Sequence, residues 1–169
     1  MQSEVDALDK RIILALFRDV RASYKSIATR LGVSHNTVRA RMARLLNEKV
    51  ITLAVVTDPP KVGLWVTAFI RVSVEANKID AVGQALASRK EVSAVYHTLG
   101  DCDIICLVHF EDNAQLFKFV NGYIGQLDGV LDMHPTISCE TIKGLPDRQV
   151  PFSGIEEGGY EVSQIGVAG

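Results

Sequence analysis

Seven side chains able to grip a polyanion fall within residues 34–44 of the stretch RLGVSHNTVRARMARLL: Ser34, His35, Asn36, Thr37, Arg39, Arg41 and Arg44. A carboxamide such as that of Asn36 can pair two hydrogen bonds with an adenine edge, and the methyl of Thr37 can touch a thymine methyl. Guanidiniums bind phosphate oxygens and set position rather than sequence preference. This chemistry is recognition and not bond making. A second cluster, LGDCD at 99–103, combines Gly100, which lets a ligand approach the main chain, with Asp101 and Asp103, which suit an ammonium group. The same residues also suit a plain polar hairpin turn.

Three helices are expected around the first cluster. In DALDKRIILALFR, Leu8, Ile12 and Leu16 recur every four residues, which predicts an amphipathic helix over residues 6–18. YKSIATRLG gives a short second helix closed by Gly32, and Ser34 is a suitable N-cap for HNTVRARMARLLNEK, whose apolar stripe is Val38, Met42 and Leu45. Helix, short helix, Gly-containing turn and helix outline a helix-turn-helix, whose second helix enters the DNA major groove. At about 100° per residue, the face opposite Val38 is centred on Ala40, with Asn36, Thr37, Ala43 and Arg44 around it. Arg39 lies on one flank and Arg41 near the core boundary. A bundle merely solvated by arginines would mix signs on this helix, yet its one acid is Glu48.

After Val50 the pattern suggests a short strand in ITLAVVT, then a break at Asp58-Pro59-Pro60. From Trp65 the period is two, and the element order from there is strand, helix, strand, Gly100-Asp101 hairpin, strand, helix, strand. This βαββαβ order is the ferredoxin-like split βαβ unit, so the fold class is α+β. The expected layout is a helix-turn-helix, winged-helix-like domain at 1–55, a linker at 56–63, a ferredoxin-like domain at 64–144 and a tail at 145–169. Ile104, Cys106, Val108 and Phe110 alternate with Ile105 and Leu107, so the third strand is apolar on both faces. With Trp65 and Phe69 on the helix-free side, the bare patch calls for a partner, and sheet-to-sheet dimerisation is expected.

Charge divides the chain the same way: residues 1–60 hold ten Lys/Arg against six Asp/Glu, and residues 61–169 hold eight against fourteen. The basic part suits a polyanion, double-stranded DNA. No apolar run approaches the roughly 20 residues of a membrane span, and the acidic start is no signal peptide, so no membrane partner and a cytoplasmic location are expected. Cys102, Cys106 and Cys139 form no CxxC pair and are expected as buried, inert thiols. Neither HExxH, a P-loop nor GxSxG occurs, so an enzyme is not expected. His35, His97, His109 and His134 lack metal-ligand spacing, and His97 with His109 is expected as a sheet pair across the hairpin.

In order and at these spacings, LDKRIILAL, DVR, IATRLGVSHNTVRARMARL and TLGDCDIICLV resemble the leucine-responsive regulatory protein/asparagine synthase activator (Lrp/AsnC) transcription regulators, over roughly residues 4–144. The resemblance implies a DNA-binding regulator without a cofactor. Its second module would dimerise through its sheet, often assemble as a tetramer of dimers, and bind an amino acid or similar effector between subunits. By position it adds Gln126 on the second helix of that module, and Thr136 and Ser138 on its last strand, to Gly100, Asp101, Cys102 and Asp103 as effector-site residues. The chain departs from the family pattern in two places: Cys102 replaces an aromatic residue, which reshapes the expected cleft, and Lys49 stands where glycine is usual. Two other readings stay open, an effector-independent architectural DNA-wrapping protein and a small-molecule-sensing adaptor without DNA binding. The Gly-rich acidic tail reads either as disordered or as an edge strand for a neighbour.

Overall fold

The computed structural model describes residues 5–143, so the readings made for the tail lie outside the described residues. These residues divide into two compact units, 5–54 and 55–143.

The first unit is three helices: α1 (Ala7–Arg18), α2 (Tyr24–Leu31) and α3 (His35–Asn47). Each begins where a side chain can satisfy an orphan backbone N–H. Asp6 caps α1 in a reciprocal box with Asp9, and Ser23 and Ser34 accept from the N–H groups of Ser26 and Thr37. Gly32 closes α2 in the left-handed region at φ 69°, so the chain turns directly into the Ser34 cap. Ile12, Ile27, Val38, Met42 and Leu45 are buried together and hold the three helices as one core.

Beyond α3 the structure corrects one expectation. No strand forms between Ile51 and Thr57. The turn after α3 is made without glycine, with Lys49 itself left-handed at φ 54° and the Val50 N–H returning to the Leu45 carbonyl at 2.9 Å. A Cβ costs about 1–2 kcal/mol in that region, and glycine's greater freedom when unfolded offsets part of the gain. Lys49→Gly is therefore expected to stabilise the unit by about 0.5–1 kcal/mol, seen as a higher urea midpoint at unchanged slope.

The second unit is β1 (Val66–Val74), α4 (Ile79–Ala87), β2 (Val92–His97), β3 (Ile104–Phe110), α5 (Asn113–Gly122) and β4 (Val130–Ile137). The strands form one antiparallel sheet in the order β2-β3-β1-β4, the ferredoxin-like arrangement. Alternation in β1 sends Val66, Ala68, Ile70, Val72 and Val74 into a core with Ile104, Cys106, Val108 and Phe110, where Val82 and Leu86 of α4 and Leu116, Phe119 and Val120 of α5 cover them. Both helices thus lie on one face, and each fully buried aliphatic side chain contributes about 1.5–3 kcal/mol.

The other face is bare in the single chain. Phe69 opposes Leu107, Arg71 opposes Ile105, and Tyr96 pairs with Ile105 from β2. Trp65, Phe69 and Tyr96 are 71%, 46% and 55% exposed, the apolar patch anticipated from the pattern. Polar groups border it: the His109 ring bridges the Thr67 hydroxyl at 3.0 Å and the Ser93 hydroxyl at 3.1 Å, and partial burial pulls its pKa below the usual histidine value. His97 instead faces Gly83 of α4 at the far end of β3, so the expected His97–His109 pairing does not occur. Burial pushes the Cys106 thiol up to about 11, which makes it inert, but Cys139 is exposed rather than buried.

Candidate functional site

The Ser34 cap and the Gly32 turn present the first turns of α3 to solvent. His35, Asn36, Arg39, Ala40 and Ala43 are exposed, with small side chains at the centre of the face and one amide beside them. Ser34 and Thr37 are already engaged with each other, hydroxyl to hydroxyl at 2.8 Å, so they shape the turn more than they project from it. His35 stands against Tyr24 at the start of α2, ring centroids 6.3 Å apart.

Arg41 sits at the core boundary as its spacing suggested, but Arg44 does not keep to the outward face. The Arg41 guanidinium reaches Asp6 and Asp9, the latter at 3.2 Å, and that of Arg44 pairs with Asp9. Helical geometry sets Arg44 on the outward half of α3, yet its length lets it fold back to α1, drawn by a carboxylate with no exposed surface. A buried carboxylate must be paired, and two guanidiniums answer Asp9. The Asp6 carboxyl is pulled down to about 2, first by the Asp9 backbone N–H and then by Arg41.

The folded pKa of Asp6 lies below its unfolded value, so its contribution is complete above about pH 4 and fades as pH falls toward 2. The urea midpoint of the helical unit should therefore drop across that window, and drop less steeply in Asp6→Asn.

Reading from α3 alone missed the bases of α2. Lys25 and Arg30 line a shallow depression of about 480 Å³ with Ser23, Ser26 and Thr29. The signal was available, since the first helix of a helix-turn-helix crosses the DNA backbone.

In the second unit, residues 98–103 join β2 to β3. Gly100 has φ 146° and open space where a Cβ would stand, a conformation that favours glycine. Asp103 is partly committed, since its carboxylate accepts the Val74 N–H at 2.8 Å and its own N–H donates to the Val72 carbonyl. Thr98 donates to the Cys102 carbonyl at 2.7 Å and closes the loop, while Asp101 is exposed.

The remaining expected effector residues lie elsewhere. Gln126 is in a 3-10 turn, Ile124–Gln126, after α5 has ended at Gly122, not on that helix. Thr136 opposes Phe69 on the bare sheet face, and Ser138 lies just past β4, its N–H donating to the Thr67 carbonyl. Thr136 and Ser138 thus stand at the start of β1, whereas the hairpin stands at its end beside Val72 and Val74. One chain does not bring these residues together. Among the described residues, no group of three or more His, Cys, Asp or Glu could hold a metal ion, and no helix is long and apolar enough to cross a membrane.

A helix-turn-helix with a bared polar face, joined in the same chain to a ferredoxin-like module, defines a two-domain DNA-binding regulator. Residues 5–46 match the AsnC-type helix-turn-helix domain, and residues 67–146 match the Lrp/AsnC ligand binding domain. The HTH-type transcriptional regulator FL11 of Pyrococcus horikoshii is 32% identical over 144 residues, covering 85% of this chain and 95% of its own. Among solved structures, Escherichia coli AsnC aligns with a TM-score of 0.78 at 25% identity, over 88% of this chain and 99% of that one. A transcriptional regulator of Neisseria meningitidis, solved as its L-methionine complex, aligns at 0.76 and 21% identity, over 86% and 97%. The chain belongs to the Lrp/AsnC family of transcriptional regulators and is not an enzyme.

Proposed function

We propose that this transcriptional regulator reads a specific DNA sequence as a homodimer and that an amino acid bound between subunits tunes its binding or assembly. The observation that carries the reading is the bare face of α3, where Asn36, Arg39, Ala40 and Ala43 stand exposed behind the Ser34 cap. Small residues let the helix seat in a groove, Asn36 pairs with a base, and Arg39 with Lys25 and Arg30 binds phosphates on either side. The exposed apolar sheet face supports a sheet-to-sheet dimer, which supplies the second reading helix that a two-fold site needs. Stacking of such dimers gives a tetramer of dimers, and DNA as partner sets the work in the cytoplasm.

The matched ligand binding domain and the methionine-bound neighbour support an amino acid as effector. In this reading Gly100 and Asp101 receive it, with Cys102 and Asp103 shaping the loop, and Gln126, Thr136 and Ser138 approach from a neighbouring subunit. One observation favours the effector-independent reading: Asp103 already serves the Val74 N–H, which leaves Asp101 as the freer carboxylate of the pair. A thermal-shift screen of the protein against the common amino acids separates the two. A true effector adds about 2.7 kcal/mol at one hundred times its dissociation constant and changes DNA affinity. A flat screen assigns the protein to architecture instead.

A further inference from the structure

Arg41 and Arg44 project from the helix that carries the reading face, yet both guanidiniums are held against α1 by Asp9, and Arg41 by Asp6 as well. Asp9 is fully buried and lies more than thirty residues from them in the chain. An acid in this position does two things at once. It fixes how far α3 is rolled about its own axis, because two points on the helix are tied to one point on α1. It also withholds two positive charges from any phosphate nearby, although Arg44 in particular starts from the outward half of α3.

We propose that Asp9 is a specificity-determining positioning residue: by sequestering Arg41 and Arg44 it keeps the reading helix in register and limits sequence-blind attraction to DNA. This rests on α3 being the reading helix. With the acid neutralised, both guanidiniums turn to phosphates. A random duplex gains the whole of that attraction because it accepts any orientation of the helix. A selected site gains less, because the roll that aligns Asn36 with its base is no longer set. Sequence discrimination then falls while total affinity rises, the reverse of what simple damage to the fold does.

The test measures binding of full-length wild type and Asp9→Asn to a selected and a random duplex across a salt series. Each new phosphate contact steepens the log–log salt slope by about 0.9, which at about 0.1 M salt means roughly eightfold tighter random-duplex binding per contact. Glu48→Gln removes the same charge from an exposed position and should leave the slope at the wild-type value. Adding Arg41→Gln and Arg44→Gln to Asp9→Asn should return the slope to wild type. Should Asp9→Asn fail to fold by circular dichroism, Asp6→Asn, at a half-exposed position, removes one of the two carboxylates that hold Arg41 and should show a smaller steepening. A folded Asp9→Asn with the slope of wild type or of Glu48→Gln overturns the proposal, as does a steepening that the added arginine substitutions leave in place, or an unchanged slope in Asp6→Asn when Asp9→Asn does not fold. A wild-type protein that binds neither duplex contradicts instead the reading of α3 on which the proposal rests.

Discussion

The Leu107→Glu variant is expected to sediment as a monomer under conditions where the proposed sheet-to-sheet pairing makes the wild-type chain a dimer. Leu107 lies on the helix-free face of β3, directly opposite Phe69, so a carboxylate there would replace an apolar contact in the proposed sheet-to-sheet core, with Arg71 of the same face only diagonal to it. Burial of a glutamate raises its pKa by about 3 units, equivalent to about 4 kcal/mol, and two-fold symmetry places two such groups in one interface. An assembly penalty of about 8 kcal/mol raises the dissociation constant nearly a millionfold. The helix side of the sheet is untouched, so the monomer should keep its secondary structure by circular dichroism. Dimers of ordinary stability would mean that the sheets do not meet at this face.

The second large effect is on stability. Asp9→Ala should lower the unfolding free energy of the helical unit by about 3 kcal/mol, read from its urea transition. The loss is at the lower end of what removing one member of a buried ion pair costs, because the Arg41 and Arg44 side chains keep 31% and 28% of their surface in water. The variant also removes the acceptor for the Asp6 N–H, which opens the capping box at the start of α1. For a unit of about fifty residues this is a large share of the total, and it should unfold well before the ferredoxin-like unit. An unchanged transition would mean that the network contributes nothing to the fold.

Local rules made most of the architecture legible. Gly32 and Ser34 mark the turn because a left-handed C′ residue and a hydroxyl cap are needed within three residues of each other, and the strict alternation from Val66 to Val74 carries β1 and both of its faces. The reading failed where a side chain answers to a residue far away. Arg44 belongs by angle to the outward face, and only the burial of Asp9, invisible in the spacing of α1, draws it back. Gln126 is placed on a helix by the resemblance, but α5 ends at Gly122 and a tighter turn takes over. The effector residues were legible as a set only through resemblance. Pairings such as Thr136 with Phe69 and Asp103 with Val74 depend on sheet register, which sends the members of that set to opposite ends of β1.

The central claim is that the exposed amide of α3 reads a base. Its most direct test is selection of duplexes from a random pool by wild type and by Asn36→Ala at the same salt concentration. Asn36 is exposed and outside the core of the unit, so the variant should fold and should retain its phosphate contacts. Wild type should enrich a two-fold motif, and the variant should lose its preference at one base pair in each half-site, a discrimination of about 1–3 kcal/mol for a bidentate contact, while random-duplex affinity and salt slope stay unchanged. The same motif recovered with the same strength by both proteins would contradict base reading by Asn36.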